Sequence, residues 1–166
     1  MRFHHMCLVT TDLKASIHLW RDVMGFDLRV ESEIPDGLEA GPNTMATPEL
    51  LESLYKVKGA RSKLGVLVSK DGAVIELLET LVPAVQKTPP ENLRYAHSGI
   101  RELGLATENI DAFFLKVKAA GYETQTDHVW DSSGMGRTFI FYDHDGNMIQ
   151  IWEDAAGAPA LLSAAH

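Results

Sequence analysis

The chain carries a single cysteine, Cys7, and one thiol excludes an internal disulfide framework. Such cysteine usage suits a reducing compartment, so a cytoplasmic location is the expectation. Positive charge is scarce: 15 Lys and Arg against 23 Asp and Glu leave a formal net charge of -8. Nucleic acid requires a basic face, so this balance argues against it as a partner. It argues more weakly against an anionic membrane surface. No apolar run approaches the roughly 20 residues that a membrane helix needs. The opening M-R-F-H-H-M lacks the apolar core of a signal peptide. Apolar residues themselves are plentiful: they make up 45% of the 166 residues, enough to close a core. The length suits one domain, or two half-size modules fused into one fold.

The chain states one pattern twice. Residues 5–16 read H-M-C-L-V-T-T-D-L-K-A-S and residues 102–113 read E-L-G-L-A-T-E-N-I-D-A-F. Residues 71–79, D-G-A-V-I-E-L-L-E, pair with 145–153, D-G-N-M-I-Q-I-W-E. Each half runs strand, polar turn, amphipathic helix, then a closing strand after Asp-Gly. A duplicated unit of this kind predicts two similar modules.

Residues 3–9 alternate with a period of two, as a strand does. Thr10-Thr11-Asp12 offers a helix N-cap. Leu13, Ile17, Trp20 and Met24 then fall at helical spacing over 13–24, and Gly25 stops the helix. Phe26–Ser32, Leu64–Ser69 and Val74–Leu78 complete module one as strands. In module two, Glu102–Ala106 is a strand, Asn109 a cap, 110–120 a helix ended by Gly121, and Tyr122–Thr126 extends. Thr138–Tyr142 and Met148–Trp152 flank a D-H-D-G-N hairpin turn. Each module reads β-α-β-β-β. Module one spans 1–80 with an inserted stretch, 33–62, that carries a short helix near Glu49–Lys56. The length of that insertion suits a cover over a site or a loop stabilised by a helix. The Pro-rich 81–99 is a linker, 100–154 is module two, and 155–166 is an Ala-rich tail.

Strand parity singles out four residues. Met6/Leu8, Ile75/Leu77, Leu103/Leu105 and Ile149/Ile151 are apolar pairs suited to packing on helices. The opposite parity holds His5, Glu76, Glu102 and Gln150 at repeat-equivalent positions. A carboxylate on an otherwise apolar strand is costly unless paired, solvated or bound to metal. A strand histidine taken alone is more often structural than a ligand. The joint pattern is what points to a divalent cation, for which imidazole and carboxylates are suitable donors.

With those residues in hand, the chain resembles the vicinal oxygen chelate superfamily. That superfamily includes glyoxalase I, methylmalonyl-CoA epimerase, extradiol dioxygenases, and the fosfomycin- and bleomycin-resistance proteins. The resemblance lies in H-H-M-x-L-x-T-x-D-L-x-x-S with L-W-R-D-V-M-G-F after it, and in the closing D-H-D-G-N-M-I-Q-I-W-E. It implies an α+β fold of two tandem βαβββ modules forming a cupped mixed sheet, and a homodimer. It also implies one metal site drawing on the start and end of each module. On that pattern His5 is the first ligand and Glu76 the second. Glu102 stands where a His is usual, and Gln150 where a Glu is usual. The set is oxygen-rich, which favours Mg²⁺, Mn²⁺ or Fe²⁺ over Co²⁺, Ni²⁺ or Zn²⁺. It lacks the two-His-one-carboxylate arrangement of Fe(II) oxygen chemistry, which places dioxygenase activity third.

The implied activity is that of a lyase, isomerase or epimerase on a small oxygenated substrate, with Lewis-acid stabilisation of an enolate. Glu76 or Glu102 would supply the base, with Glu76 favoured. Tyr142, Trp152, Trp130, Met135 and Arg137 are the candidate substrate contacts, and Arg61 and Arg94 suit an anionic group. The alternative is a metal-free, bleomycin-resistance-like binding protein.

Overall fold

The computed structural model describes residues 2–157. From residue 158 on, the proposed tail lies outside them. The chain divides into two compact units, Met1–Lys87 and Thr88–His166. Unit one contains β1 (Met6–Val9), α1 (Leu13–His18), β2 (Asp27–Ile34), α2 (Pro48–Tyr55), β3 (Arg61–Val68) and β4 (Val74–Val82). Unit two contains β5 (Glu102–Ala106), α3 (Ile110–Ala119), β6 (Trp130–Asp131), β7 (Gly136–Tyr142) and β8 (Met148–Asp154). Each closes its own four-stranded sheet, in the order β1-β4-β3-β2 and β5-β8-β7-β6. The first strand of each unit runs parallel to the last, and the other pairs are antiparallel. The duplicated sequence therefore folds as a duplicated topology. Among the described residues no helix is long and apolar enough to cross a membrane.

The same local chemistry builds both units. Asp12 and Asn109 each cap a helix, accepting from the Ala15 and Ala112 amides. A carboxylate also reaches each helix start from the closing strand. Glu79 accepts from the Leu13 amide at 2.9 Å, and Glu153 from the Ile110 amide at 3.0 Å. Each of these carboxylates faces a cation on the neighbouring strand, Lys63 at 2.6 Å and Arg137 at 3.6 Å. Burial raises the Glu79 carboxyl, but the Lys63 hydrogen bond, the Leu13 amide and the Lys63 charge outweigh it and hold the group below its usual range. The last Glu of each D-G repeat is thus a helix anchor.

One face of each sheet carries its helix. In unit one Leu67, Ile75 and Leu77 are buried beneath Leu13 and Ile17. A Cβ on Gly65 would stand 3.2 Å from Leu13 Cδ1, so glycine there lets α1 sit close. In unit two Phe139, Phe141, Ile149 and Ile151 are buried with Ile110 and Val117.

Three segments differ from the sequence reading. The helix over 13–24 is α-helical only to His18 and continues as a π-helical turn, Leu19–Val23. There the Met24 amide donates to the Leu19 carbonyl, and the fully buried Trp20 meets the Phe26 ring edge-on. Residues 122–126 form no strand; Thr124 alone bridges to Phe141. The Thr124 and Thr126 hydroxyls donate to local carbonyls of Thr126 and His128, which competes with a ladder. The edge strand is instead β6. Within the Pro-rich stretch, β4 continues to Val82 and Pro90–Leu93 forms a 3₁₀ turn.

The units differ most in their second face. In unit one, α2 packs onto it: Ile34, Ala46, Leu51, Ala60, Leu64 and Leu78 form a buried cluster. Leu78 has the strand parity of Glu76, and Leu64 lies opposite it on β3. The insertion thus covers part of the face that carries Glu76. Unit two has no equivalent helix between β6 and β7; on its second face Thr138, Ile140 and Met148 are buried, while Gly104 and Ala106 stay exposed among the described residues.

Candidate functional site

In unit one the parallel pairing of β1 with β4 sets Cys7 directly against Glu76. His5 lies two residues back on the same parity. His5 Nε2 and Glu76 Oε2 are 3.7 Å apart, with side chains 40% and 31% exposed. That gap is too long for a hydrogen bond. It is near the separation of two donors on one cation, since bonds of about 2.1 Å at right angles set donors about 3 Å apart. His5 Nδ1 engages His4 Nδ1 at 2.7 Å, which orients the ring and leaves Nε2 towards Glu76. Neither side chain has a lysine or arginine partner among the described residues. Cys7 is exposed along the strand, yet desolvation, then the charge of Glu76 and a hydrogen bond with it, pushes its thiol up to about 11. It remains a neutral thiol beside the carboxylate. The donor chemistry of His5 and Glu76 fits a divalent cation. They are two donors, and among the described residues no three His, Cys, Asp or Glu side chains gather into a complete metal cluster.

In unit two Glu102 stands opposite Met148, while Gln150 stands opposite Gly104. The Glu102 carboxylate accepts a hydrogen bond from the Tyr95 hydroxyl. Burial first, then the hydrogen bond to Glu102 and its charge, push the Tyr95 phenol up to about 12. Tyr95 is therefore a protonated donor at neutral pH, holding one carboxylate oxygen. Gln150 lies over Gly104, its Oε1 3.6 Å from where a Cβ on that glycine would stand.

The open face of this sheet holds a cavity of about 480 Å³. Gly104, Ala106 and Gln150 line it, with Trp152, Met135 and Asp154. Trp152 is fixed from two sides. Its Nε1 donates to Asp154 Oδ1 at 2.8 Å. Its ring lies against Gly136, where a Cβ would stand 2.9 Å from both Cε2 and Cζ2.

The structure thus brings together His5 with Glu76, and separately Gln150 with Trp152 and Met135. Trp130 and Tyr142 share the open-face parity through their pairing with Thr138 and Met148, though neither lines the cavity. Arg137 has the opposite parity, and its guanidinium is held by Asp111 at 2.6 and 2.7 Å, which lowers the Asp111 carboxyl. It forms a surface ion pair beside α3. Arg61 is paired with Glu33, and Arg94 stacks 4.4 Å over the Tyr142 ring while donating to the Gly146 carbonyl. Cys7, Gly104, Asp154 and Tyr95 escaped the sequence reading. The first three were accessible by counting two residues along a strand from a chosen position. Tyr95 sits in an irregular segment and carried no signal.

The Glyoxalase/Bleomycin resistance protein/Dioxygenase superfamily model matches residues 2–151. A search among curated proteins finds no match. Among solved structures, a glyoxalase family protein from Bacillus cereus superposes with a TM-score of 0.77 at 16% identity, covering 94% of this chain and 95% of that one. TnmS3, an antibiotic binding protein from Streptomyces sp. CB03234, gives 0.56 at 14%, covering 93% and 97%. A variant of the fosfomycin resistance protein FosX from Listeria monocytogenes, complexed with Mn(II) and 1S,2S-dihydroxypropylphosphonic acid, gives 0.56 at 17%, covering 91% and 90%. With the family model spanning nearly the whole chain and the fold shared at low identity, this protein belongs to the glyoxalase/bleomycin resistance/dioxygenase, or vicinal oxygen chelate, superfamily.

Proposed function

We propose that this chain is a metal-dependent enzyme of the lyase, isomerase or epimerase kind, acting on a small oxygenated molecule. The observation that carries the reading is the His5–Glu76 pair, an imidazole and a carboxylate 3.7 Å apart with no lysine or arginine partner among the described residues. The FosX complex with Mn(II) supports it from within the superfamily. A divalent cation held there supplies Lewis acidity to a substrate carbonyl or hydroxyl oxygen. Glu76, free of lysine or arginine, then accepts the proton alpha to that oxygen. Glu102 is a poorer base because the Tyr95 hydroxyl, a stronger donor than the Cys7 thiol beside Glu76, already donates to it. Cys7 stays neutral and adds no competing charge.

The test is metal titration beside turnover. His5→Ala should lose the cation. Glu76→Gln should keep it, since an amide oxygen still coordinates, and lose turnover by about 10²–10⁴-fold, as expected for a general base. Glu102→Gln reads the sequence-based assignment of a further donor, and weaker metal binding is the result expected. A homodimer belongs to this reading, and light scattering checks it.

A second reading, a metal-free binding protein, is favoured by the unit-two cavity and by the likeness to TnmS3. It predicts ligand binding with no metal dependence.

A further inference from the structure

The cavity of unit two has a chemical character that neither reading assigns. Its walls are an indole, a thioether and two strand positions without bulk, Gly104 and Ala106. Its polar groups are the Gln150 amide, the Asp154 carboxylate and the Ser132 hydroxyl. Among the described residues no lysine, arginine or histidine lines it. The cations nearest in sequence are committed elsewhere: Arg137 to Asp111 and Glu153, and Arg94 to the Gly146 carbonyl and the Tyr142 ring.

Charge decides what such a cavity accepts. An anion placed there would give up part of its hydration, find no positive partner among the described residues, and face the Asp154 carboxylate. A neutral or cationic group meets no such penalty. Gln150 has no hydrogen-bond partner among the described residues, so its amide is free to give and take one bond each. Trp152 supplies a rigid flat wall. The Gly136 contact and the Asp154 hydrogen bond hold its ring in one orientation, so little entropy is lost when a second ring stacks on it. The missing side chain at Gly104 leaves the sheet bare beside Gln150, and its backbone is not in the left-handed region. A volume of about 480 Å³ suits a ligand of two or three fused rings.

We propose that the open face of unit two binds a flat aromatic molecule that is uncharged or cationic, stacked on Trp152 with a carbonyl, amide or hydroxyl group on Gln150, and that it rejects carboxylates and phosphonates. The proposal rests on the small-molecule part of the function proposed above and is independent of the metal.

The test is calorimetric titration of the full chain with three probes of one shape: naphthalene-2-carboxamide, 2-(aminomethyl)naphthalene and naphthalene-2-carboxylate. The amide and the amine should bind, and the carboxylate at least about tenfold more weakly, because its charge is desolvated without a partner. Methylphosphonate should not bind. Gly104→Val fills the cavity without touching the helix face and should weaken the amide by about tenfold or more, as Trp152→Ala should. Asp154→Asn should bring the carboxylate closer to the amide. Equal or tighter binding of the carboxylate overturns the proposal, as does an amide affinity that Gly104→Val leaves unchanged. Circular dichroism identifies a variant that fails to fold, and then Gly104→Val and Asp154→Asn carry the decision. Mn²⁺ titration of the same samples reports on the metal reading separately, so either can fail while the other stands.

Discussion

Trp152 illustrates how one residue depends on a missing neighbour. A Cβ on Gly136 would stand 2.4 Å from the Glu153 carbonyl oxygen and 2.9 Å from the Trp152 ring. The first of these is backbone, which yields little. Gly136→Ala should therefore lower stability by about 1–3 kcal/mol, the usual cost of forcing bulk into a packed site. Urea denaturation measures it, and an unchanged midpoint contradicts the packing described. The sequence names Trp152 as a candidate substrate contact but gives no notice of Gly136, because a glycine's role lies in what surrounds it. Likewise the parity of His5 and Glu76 is visible in the sequence, since a period of two fixes the face of a strand. The commitment of Arg137 to Asp111 is not, since those residues are 26 apart along the chain and meet only after α3 docks.

At the scale of the element, the helices owe their positions to side-chain oxygens at both ends of each repeat. Asp12 and Asn109 are legible as caps because the capping side chain is local. Glu79 and Glu153 are visible only as repeated letters, because they reach their amides 66 and 43 residues away. Glu79→Ala should cost about 1 kcal/mol, as the loss of a cap does, and lower the melting temperature by about 2–4 °C. The pH dependence follows from the sign of the shift. Glu79 is held below its ordinary value, near 4.5. Its stabilisation is therefore present above that value and fades as pH falls through the folded one. The gap between the wild-type and Glu79→Ala melting temperatures should be widest near neutrality and close in acid. A gap that does not change with pH contradicts the ion-paired cap.

Taken whole, the molecule repeats one topology and then makes its two copies unlike. The fold is legible because it is stated twice: period-two strands, caps and the Asp-Gly turns recur in register. The differences are legible only in part: the 33–62 insertion and its helix are visible in the sequence, but where that helix seats is not. The second face of unit one is sealed by α2, whose Leu51 is buried against β3 and β4. That of unit two is open around Gly104 and Ala106, where small residues and a pinned indole leave room among the described residues. Leu51→Ala should cost about 2–5 kcal/mol, the range for a buried leucine, and a thermal melt checks it. A shift within error would mean that α2 merely lies on the surface. His5 and Glu76 are two of the four donors that the resemblance implies. Tyr95 holds Glu102 by a contact from an irregular segment that no periodicity announces.

The central claim is that His5 and Glu76 hold a functional cation. The most direct measurement is elemental analysis of the wild-type chain and His5→Ala after equilibration with Mn²⁺ and removal of the excess. The wild type should retain a single Mn²⁺ ion per chain. His5→Ala should bind at least about a hundredfold more weakly, since even outer-shell changes cost 10–100-fold, and should keep its circular dichroism spectrum. Equal and negligible metal in both proteins would contradict the claim and leave the metal-free binding protein in its place.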